Sequence, residues 1–141
     1  MDKKIIDRIL NAQHSTRIKV RSNDIDATGV VHFNNYLIYF DDGFIDFMRA
    51  IENPVEGAVK WGIVFPVKKV SISYENSAVF GDDIVIETRI KEIGDKSVTF
   101  LHEIFRESDK IILAKAECVR AVMNLESKKL INVKEFFTSF V

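Results

Sequence analysis

The chain has 141 residues, 47% hydrophobic and 29% charged, which suits one domain around one core and is too apolar for disorder. Its 20 basic and 21 acidic side chains leave a formal net charge of −1, with Lys and Arg spread from Lys3 to Lys134; nucleic acid and integral membrane are therefore set aside as principal surroundings. One cysteine, Cys118, excludes an internal disulfide and a cysteine-built metal cage, and no apolar run approaches the ~18 residues of a membrane-spanning helix.

The expected organisation is a single domain over 1–141 with a helical N-terminal extension over 1–15. Ile5, Ile6, Ile9 and Leu10 form a helical stripe between Lys3 and Ala12. Charge interrupts MDKKIIDRILNAQHS too often for a signal peptide, which makes a cytoplasmic location the default. Alternation from Thr16 to Ser22 predicts a half-buried strand, with Ile18 and Val20 on one face and Arg17, Lys19 and Arg21 on the other.

Helical spacing returns from Tyr36 to Ile51, where Tyr36, Tyr39, Phe40, Gly43, Phe44, Phe47 and Ile51 form a broad aromatic face. Such a face belongs at the centre of the core. Gly43 costs a helix roughly 1 kcal/mol relative to Ala, so its use implies close approach to a sheet. Asn34 or Asn35 is the expected N-cap, and Asn53-Pro54 punctuates the far end.

β-rich segments follow over 64–74, 83–93, 97–107 and 111–125, separated by turn signals at 80–83, 94–96 and 107–110. Short turns between successive strands predict an antiparallel meander. Residues 133–141 carry Phe136, Phe137 and Phe140, a closing helical turn or strand. Together these elements predict an α+β architecture, a long central helix wrapped by a five-stranded antiparallel sheet.

Signatures for nucleophile elbows, zinc helices, dinucleotide loops and P-loops are missing, and His14, His32 and His102 show no metal-ligand spacing. Neither a metal nor a cofactor is expected. His102 shares a strand face with Val98, Phe100 and Ile104, which predicts a hydrogen-bonded core or interface histidine; Cys118, within an apolar run, is read as a buried thiol.

The stretch NDIDATGVVHFNNY, 23–36, carries the chemistry. As a calcium loop it places Asp24, Asp26 and Gly29 correctly, but Asn35 stands where the bidentate glutamate belongs and a strand precedes it. Asp24 with Gly29 suits a side-chain-stabilised turn with positive φ. Asp26 lies just ahead of a helix N-terminus, whose amides favour a carboxylate and can equally hold a developing oxyanion. An acid beside an oxyanion hole, with no Ser or Cys nucleophile, is compatible with an acyl-transfer site, and a purely structural carboxylate is the other reading the residues leave open.

Asp24-Ile-Asp26-Ala-Thr-Gly29-Val30-Val31 followed by Asn35-Tyr36 resembles the signature of the 4-hydroxybenzoyl-CoA thioesterase family. The likeness continues through Tyr39-Phe40, Phe80-Gly81-Asp82, 86–92 and Lys96-Ser97, covering about 17–125. It implies a hotdog fold and hydrolysis of acyl-CoA or acyl-carrier-protein thioesters. Asp26 would be nucleophile or general base, and the Phe33 backbone amide the oxyanion donor. Lys96 would sit near the CoA phosphates with Ser97 beside it, and Val70 and Ser71 would lie along the pantetheine arm. The family also implies a homodimer or homotetramer with shared sites.

Two departures stand out. Gly94 and Asp95 replace two arginines of the 4-hydroxybenzoyl enzyme, and Phe33 replaces a histidine of the Tol–Pal-associated thioesterases. His32 is adjacent but is expected to point elsewhere. Trp61 is a candidate for closing an acyl pocket. The remaining alternatives are a non-catalytic acyl-CoA or acyl-carrier binding module and a dehydratase or hydratase, the latter needing His32 or His102 against Asp26.

Overall fold

A computed structural model describes residues 2–139. Helix α1 (Asp2–Asn11) leads into strand β1 (Gln13–Lys19), and a single 3-10 turn (Ser22–Asp24) precedes the long helix α2 (Phe33–Ala50). Helix α3 (Val55–Lys60) and the short strand β2 (Ile63–Val64) then lead to β3 (Val67–Tyr74). Strands β4 (Asp83–Ile93), β5 (Ser97–Arg106), β6 (Ile112–Ala121) and β7 (Met123–Asn124) follow, and α4 (Val133–Ser139) closes the described chain. Phe140 and Val141 of the expected closing segment lie outside it.

The five-stranded antiparallel sheet is present, wrapped around α2 as a hotdog, in the order β1-β4-β5-β6-β3. The meander expectation needs correction, because only β4, β5 and β6 follow one another in space. Strand β3 runs to the far edge beside β6, pairing Val70 with Cys118 and Ile72 with Ala116. Residues 75–82 form a crossing rather than a hairpin. Glu75 and Asn76 N–H groups donate to Leu113 O, Ala78 N–H donates to the Tyr36 hydroxyl, and Gly81 N–H reaches Val20 O. The Gly81 turn, at φ +84°, therefore joins this crossing to β4, not β3 to β4.

Several boundaries also move. The helical extension ends at Asn11, and Gln13–Ser15 already belong to β1, which pairs Gln13 with Arg89 and Lys19 with Asp83. Pro66 divides the segment expected as one strand over 64–74, since it cannot donate to a ladder; its carbonyl accepts from Ala121 N–H instead. Helix α3 was not expected from its six residues between Pro54 and Gly62, too few for a periodic signal.

The aromatic face of α2 sits at the centre, as its spacing predicts: Tyr36, Tyr39, Phe40, Phe44 and Phe47 are all buried. Phe44 and Phe47 meet Phe100 edge-on, at centroid distances of 5.1 and 5.8 Å, while Phe65 joins Phe44 to Phe136 of α4. Each buried phenyl contributes on the order of 2–3 kcal/mol of burial energy. Gly43 is the point of closest approach. A Cβ there would stand 2.8 Å from Ile86 Cγ2 and 2.8 Å from Thr88 Oγ1.

Beneath Gly43, Thr88 Oγ1 and His102 Nδ1 form a buried hydrogen bond at 2.9 Å, so His102 is the bonded core histidine its strand face suggests. Burial, then the nearby Arg120 charge, pushes its pKa down to about 3. Arg120 bonds Phe65 O and Asp41 and lies 3.8 Å over the Phe44 ring. Cys118 is buried, its thiol pKa pushed up by burial.

Candidate active site

Residues 25–32 form a knot at the entrance of α2. Ile25 bridges Val31, Val30 bridges Val79 of the crossing, and Val31 N–H donates to Ala78 O. Gly29 turns the chain at φ +86° and donates its N–H to Asp26 O. The positive φ expected of Gly29 is therefore present.

Both aspartates accept backbone amides, Asp24 from Arg21 and Asp26 from Thr28, so the side-chain turn expected of Asp24 alone is shared. Asp24 is the buried one. Its Oδ2 accepts from Arg21 N–H at 3.0 Å and from the Tyr39 hydroxyl at 3.0 Å, with Arg21 Nε at 3.2 Å. Burial alone would raise its pKa, but the Arg21 amide and guanidinium and the Tyr39 hydroxyl together pull it below the usual carboxylate value. Tyr39, desolvated and donating to Asp24, is pushed well up.

Asp26 makes the other side-chain turn. Its Oδ1 accepts from Thr28 N–H at 2.8 Å and from the Thr28 hydroxyl. These bonds, the hydroxyl first, hold its pKa below the ordinary value, with a smaller favourable contribution from the His32 ring. Both bonds fall on Oδ1, so Oδ2 keeps its accepting capacity. The result is a half-buried carboxylate, ionised at neutral pH, beside a helix entrance.

The N-cap of α2 is His32, not Asn34 or Asn35. Its Nδ1 accepts from Asn34 N–H at 3.2 Å, and its carbonyl accepts from Asn35 N–H at 2.9 Å. The Asn35 side chain instead donates to Asp24 O. Histidine is outside the usual N-cap set, which is why the sequence pattern favoured asparagine. Phe33 occupies the first helical position, where no intrahelical carbonyl is available to its N–H.

Beside this entrance lies a groove of about 240 Å³ lined by Val31, Phe33, Tyr36, Tyr74, Glu75 and Asn76. Its wall is fixed where the Tyr74 hydroxyl donates to Phe33 O at 3.3 Å. The Phe33 ring is 62% exposed, so its role is not core packing. Leu37, one turn further along α2, and Val70 and Tyr74 of β3 are also exposed.

Asp26 faces Val30 across the 25–31 turn and lies within electrostatic reach of His32, the residue before Phe33, whereas the other candidates are dispersed. Val70 lies midway along β3 on the helix-facing side with Ile72, and Ser71 points to the outer sheet face, near Glu87, Leu101 and Glu117. Lys96 and Ser97 sit at the β4–β5 turn, where Gly94 N–H donates to Ser97 O and Val133 N–H to Asp95 O. Asp26 is near the opposite end of these strands, and the 11 residues of β4 span about 36 Å. Trp61, after α3, stands beyond the C-terminus of α2, whose 18 residues run about 27 Å. Within one chain, neither Lys96 nor Trp61 reaches Asp26.

His102, under Gly43, is likewise remote from Asp26, while His32 shares its neighbourhood. Among the described residues no group of three or more His, Cys, Asp or Glu side chains can hold a metal, and no helix is long and apolar enough to cross a membrane.

Comparison with known proteins agrees with this architecture. Residues 20–141 match the model of the thioesterase-like superfamily. The acyl-CoA thioesterase YbgC of Haemophilus influenzae is 25% identical over 122 residues, covering 86% of this chain and 88% of that one. A DHNA-CoA thioesterase from Staphylococcus aureus superposes with a TM-score of 0.85 at 20% identity, covering 91% of this chain and 85% of that one. A 4-hydroxybenzoyl-CoA thioesterase variant solved with 4-hydroxybenzoyl-CoA gives 0.81 at 21% identity, covering 91% and 97%. With 20–141 matched and the hotdog sheet wrapped around α2, the chain belongs to the thioesterase-like superfamily.

Proposed function

We propose that this protein hydrolyses acyl-CoA thioesters, with Asp26 as the catalytic carboxylate and the Phe33 N–H as oxyanion donor. The observation that carries the reading is the ionised Asp26 carboxylate, fixed by Thr28, beside the open first turn of α2. A thioester carbonyl placed at that turn has its developing negative charge stabilised by a first-turn amide and the helix dipole. Asp26 then either attacks the carbonyl carbon, releasing thiolate and giving an anhydride that water cleaves to the free acid and the restored carboxylate, or takes a proton from water that attacks the carbonyl as the thiolate leaves. The groove beside Phe33 and Tyr74 suits the acyl or pantetheine portion.

The active unit proposed is a homo-oligomer. Strand β3 pairs only with β6, so its other edge is open; Val70 and Tyr74 of β3 are exposed, as are Phe33 and Leu37 of α2. Open apolar edges are aggregation sites unless covered, and a second copy covers this one by antiparallel β3 pairing. Such pairing exchanges the two ends of the sheet. It would carry the partner's β4–β5 turn, with the partner's Lys96 and Ser97, towards the Asp26 end and the CoA phosphates. A cytoplasmic location is part of the proposal.

The test is thiol release from short-chain, long-chain and aromatic acyl-CoAs, and from an acyl carrier protein loaded with the same acyl groups. Asn at 26 keeps an oxygen for the Thr28 amide and removes only the charge. Asp26→Asn is expected to lower kcat by at least ~10²-fold with an unchanged unfolding midpoint. A second reading, a non-catalytic acyl-CoA binding module, draws on the engagement of Asp26 Oδ1 in a structural turn. It predicts binding without turnover, and near wild-type hydrolysis by Asp26→Asn would defeat the catalytic assignment.

A further inference from the structure

We propose that His32, as the neutral tautomer carrying its proton on Nε2, is the positioning residue that seats the Phe33 amide. This rests on the thioesterase reading above for its catalytic meaning, though not for its geometry.

His32 is held from several directions. Its N–H donates to Asp24 O at 3.0 Å, and its carbonyl receives Asn35 N–H at 2.9 Å. Its Nδ1 takes Asn34 N–H at 3.2 Å, and its ring stacks on Phe33 with centroids 4.6 Å apart and planes 26° from parallel. The Phe33 peptide N–H lies between these anchored points. The anchor itself is firm, because Asp24 is buried and fastened to Arg21 and Tyr39.

An Nδ1 that accepts from an amide cannot carry a proton, so the cap fixes the tautomer. Protonation turns Nδ1 into a donor facing the Asn34 donor, and puts a cation at the positive end of α2. The charged groups around the ring decide where it goes. Asp24 is committed to Arg21 and Tyr39, α2 has no acidic residue in its first turn, β3 offers Tyr74, whose hydroxyl already donates to Phe33 O, and Glu75 on the far groove wall accepts from Ser73 Oγ. The charge coupled to His32 is Asp26, across the turn. An imidazolium therefore leaves the cap and turns towards Asp26, which loosens the Phe33 amide and occupies the carboxylate together. Serine, threonine, aspartate or asparagine at this position would cap without that coupling. His32 thus makes the hydrolytic state of the site conditional on a neutral imidazole.

Two measurements test this. In ¹⁵N–¹H spectra, the Asn34 amide of the wild-type protein should titrate in step with the His32 ring, and in His32→Asn it should not move through that range. An Asn34 amide indifferent to the ring titration overturns the proposal. In thiol-release assays on the acyl-CoA panel, His32→Ala should lower kcat about tenfold with KM little changed, since a misplaced oxyanion donor costs less than the 10²–10³ of an absent one. His32→Asn should restore kcat to within about threefold and remove the inflection of the pH–rate profile that coincides with the ring titration, leaving only the Asp26 limb at lower pH. Equal losses in both variants, or an inflection at the ring titration that persists in His32→Asn, overturn it. If the wild type hydrolyses none of the thioesters while Asn34 still follows the ring, the capping inference stands and the thioesterase reading falls.

Discussion

Replacing Gly43 by alanine sets two effects of opposite sign against each other at one atom. Alanine favours the helix by about 1 kcal/mol over glycine. Against this, the new methyl would lie 2.8 Å from Ile86 Cγ2 and 2.8 Å from Thr88 Oγ1, roughly an ångström inside ordinary contact. Neither neighbour is a flexible tip: Ile86 and Thr88 are fully buried in the central strand β4. Overpacking of this kind costs about 1–3 kcal/mol. Displacing Thr88 also breaks its bond to His102 Nδ1; with Nε2 already unpaired, the whole imidazole would be left unsatisfied, for about 1 kcal/mol more. The net expectation is a loss of about 1–3 kcal/mol, or a Tm lower by about 4–10 °C for a chain of this size. Gly57 in α3 is the control, because its added Cβ meets only Pro54 Cγ at an ordinary 3.5 Å. Gly57→Ala should raise stability by about 0.5–1 kcal/mol. Thermal and urea unfolding followed by circular dichroism compare the two. A Gly43→Ala protein as stable as wild type would refute the close-approach reasoning.

Two further perturbations address the buried polar groups. Asp24→Ala strips the acceptor from the Arg21 amide and the Tyr39 hydroxyl and should cost about 2–3 kcal/mol in urea unfolding; a loss under 0.5 kcal/mol would contradict it. Because the folded Asp24 pKa is depressed, its contribution is present above the unfolded value of 3.8 and is lost as pH falls through the folded value, so Asp24→Asn should flatten stability against pH in that acid window. His102 is likewise depressed, from 6.5 to about 3. Its unfolded form binds the proton first, so its contribution is complete above 6.5 and declines by up to about 1.4 kcal/mol per pH unit below it. Removing the ring as His102→Gln should make the wild-type slope between pH 6 and 4 shallower; an identical slope would show that His102 does not titrate this way.

Legibility in the sequence followed the range of the forces involved. The aromatic face of α2 and the strand alternation of β4 to β6 are local periodicities, and both appear at the expected places. The need for glycine at 43 was readable from its propensity cost. The position of β3 was not, because its residues are mostly exposed on both faces and its pairing with β6 is non-local. In 23–36, Asp24 accepts a backbone amide as expected, but its burial against Tyr39, and the bonds of Asp26 to Thr28, were not legible. Turn propensity treats two aspartates two residues apart alike; only the packing of Tyr39 and Arg21 against the first distinguishes them. His32 was weighed as a neighbour of the site but not as the N-cap, because histidine caps helices through its tautomer rather than by residue type.

The strand order also constrains the route to the folded state. Hairpins β4–β5 and β5–β6 close through short turns, whereas β1 must find β4 across α2, and β3 must find β6 across two intervening strands. Loop-closure entropy falls on these distant pairings before they gain contacts, which places them late. Both outer strands of the sheet are therefore its kinetic stragglers, and the crossing at 75–82 that walls the proposed site matures with them. By contact order, the central hairpins are expected to form before the outer pairings, and the groove beside Phe33 is expected to form with the latter.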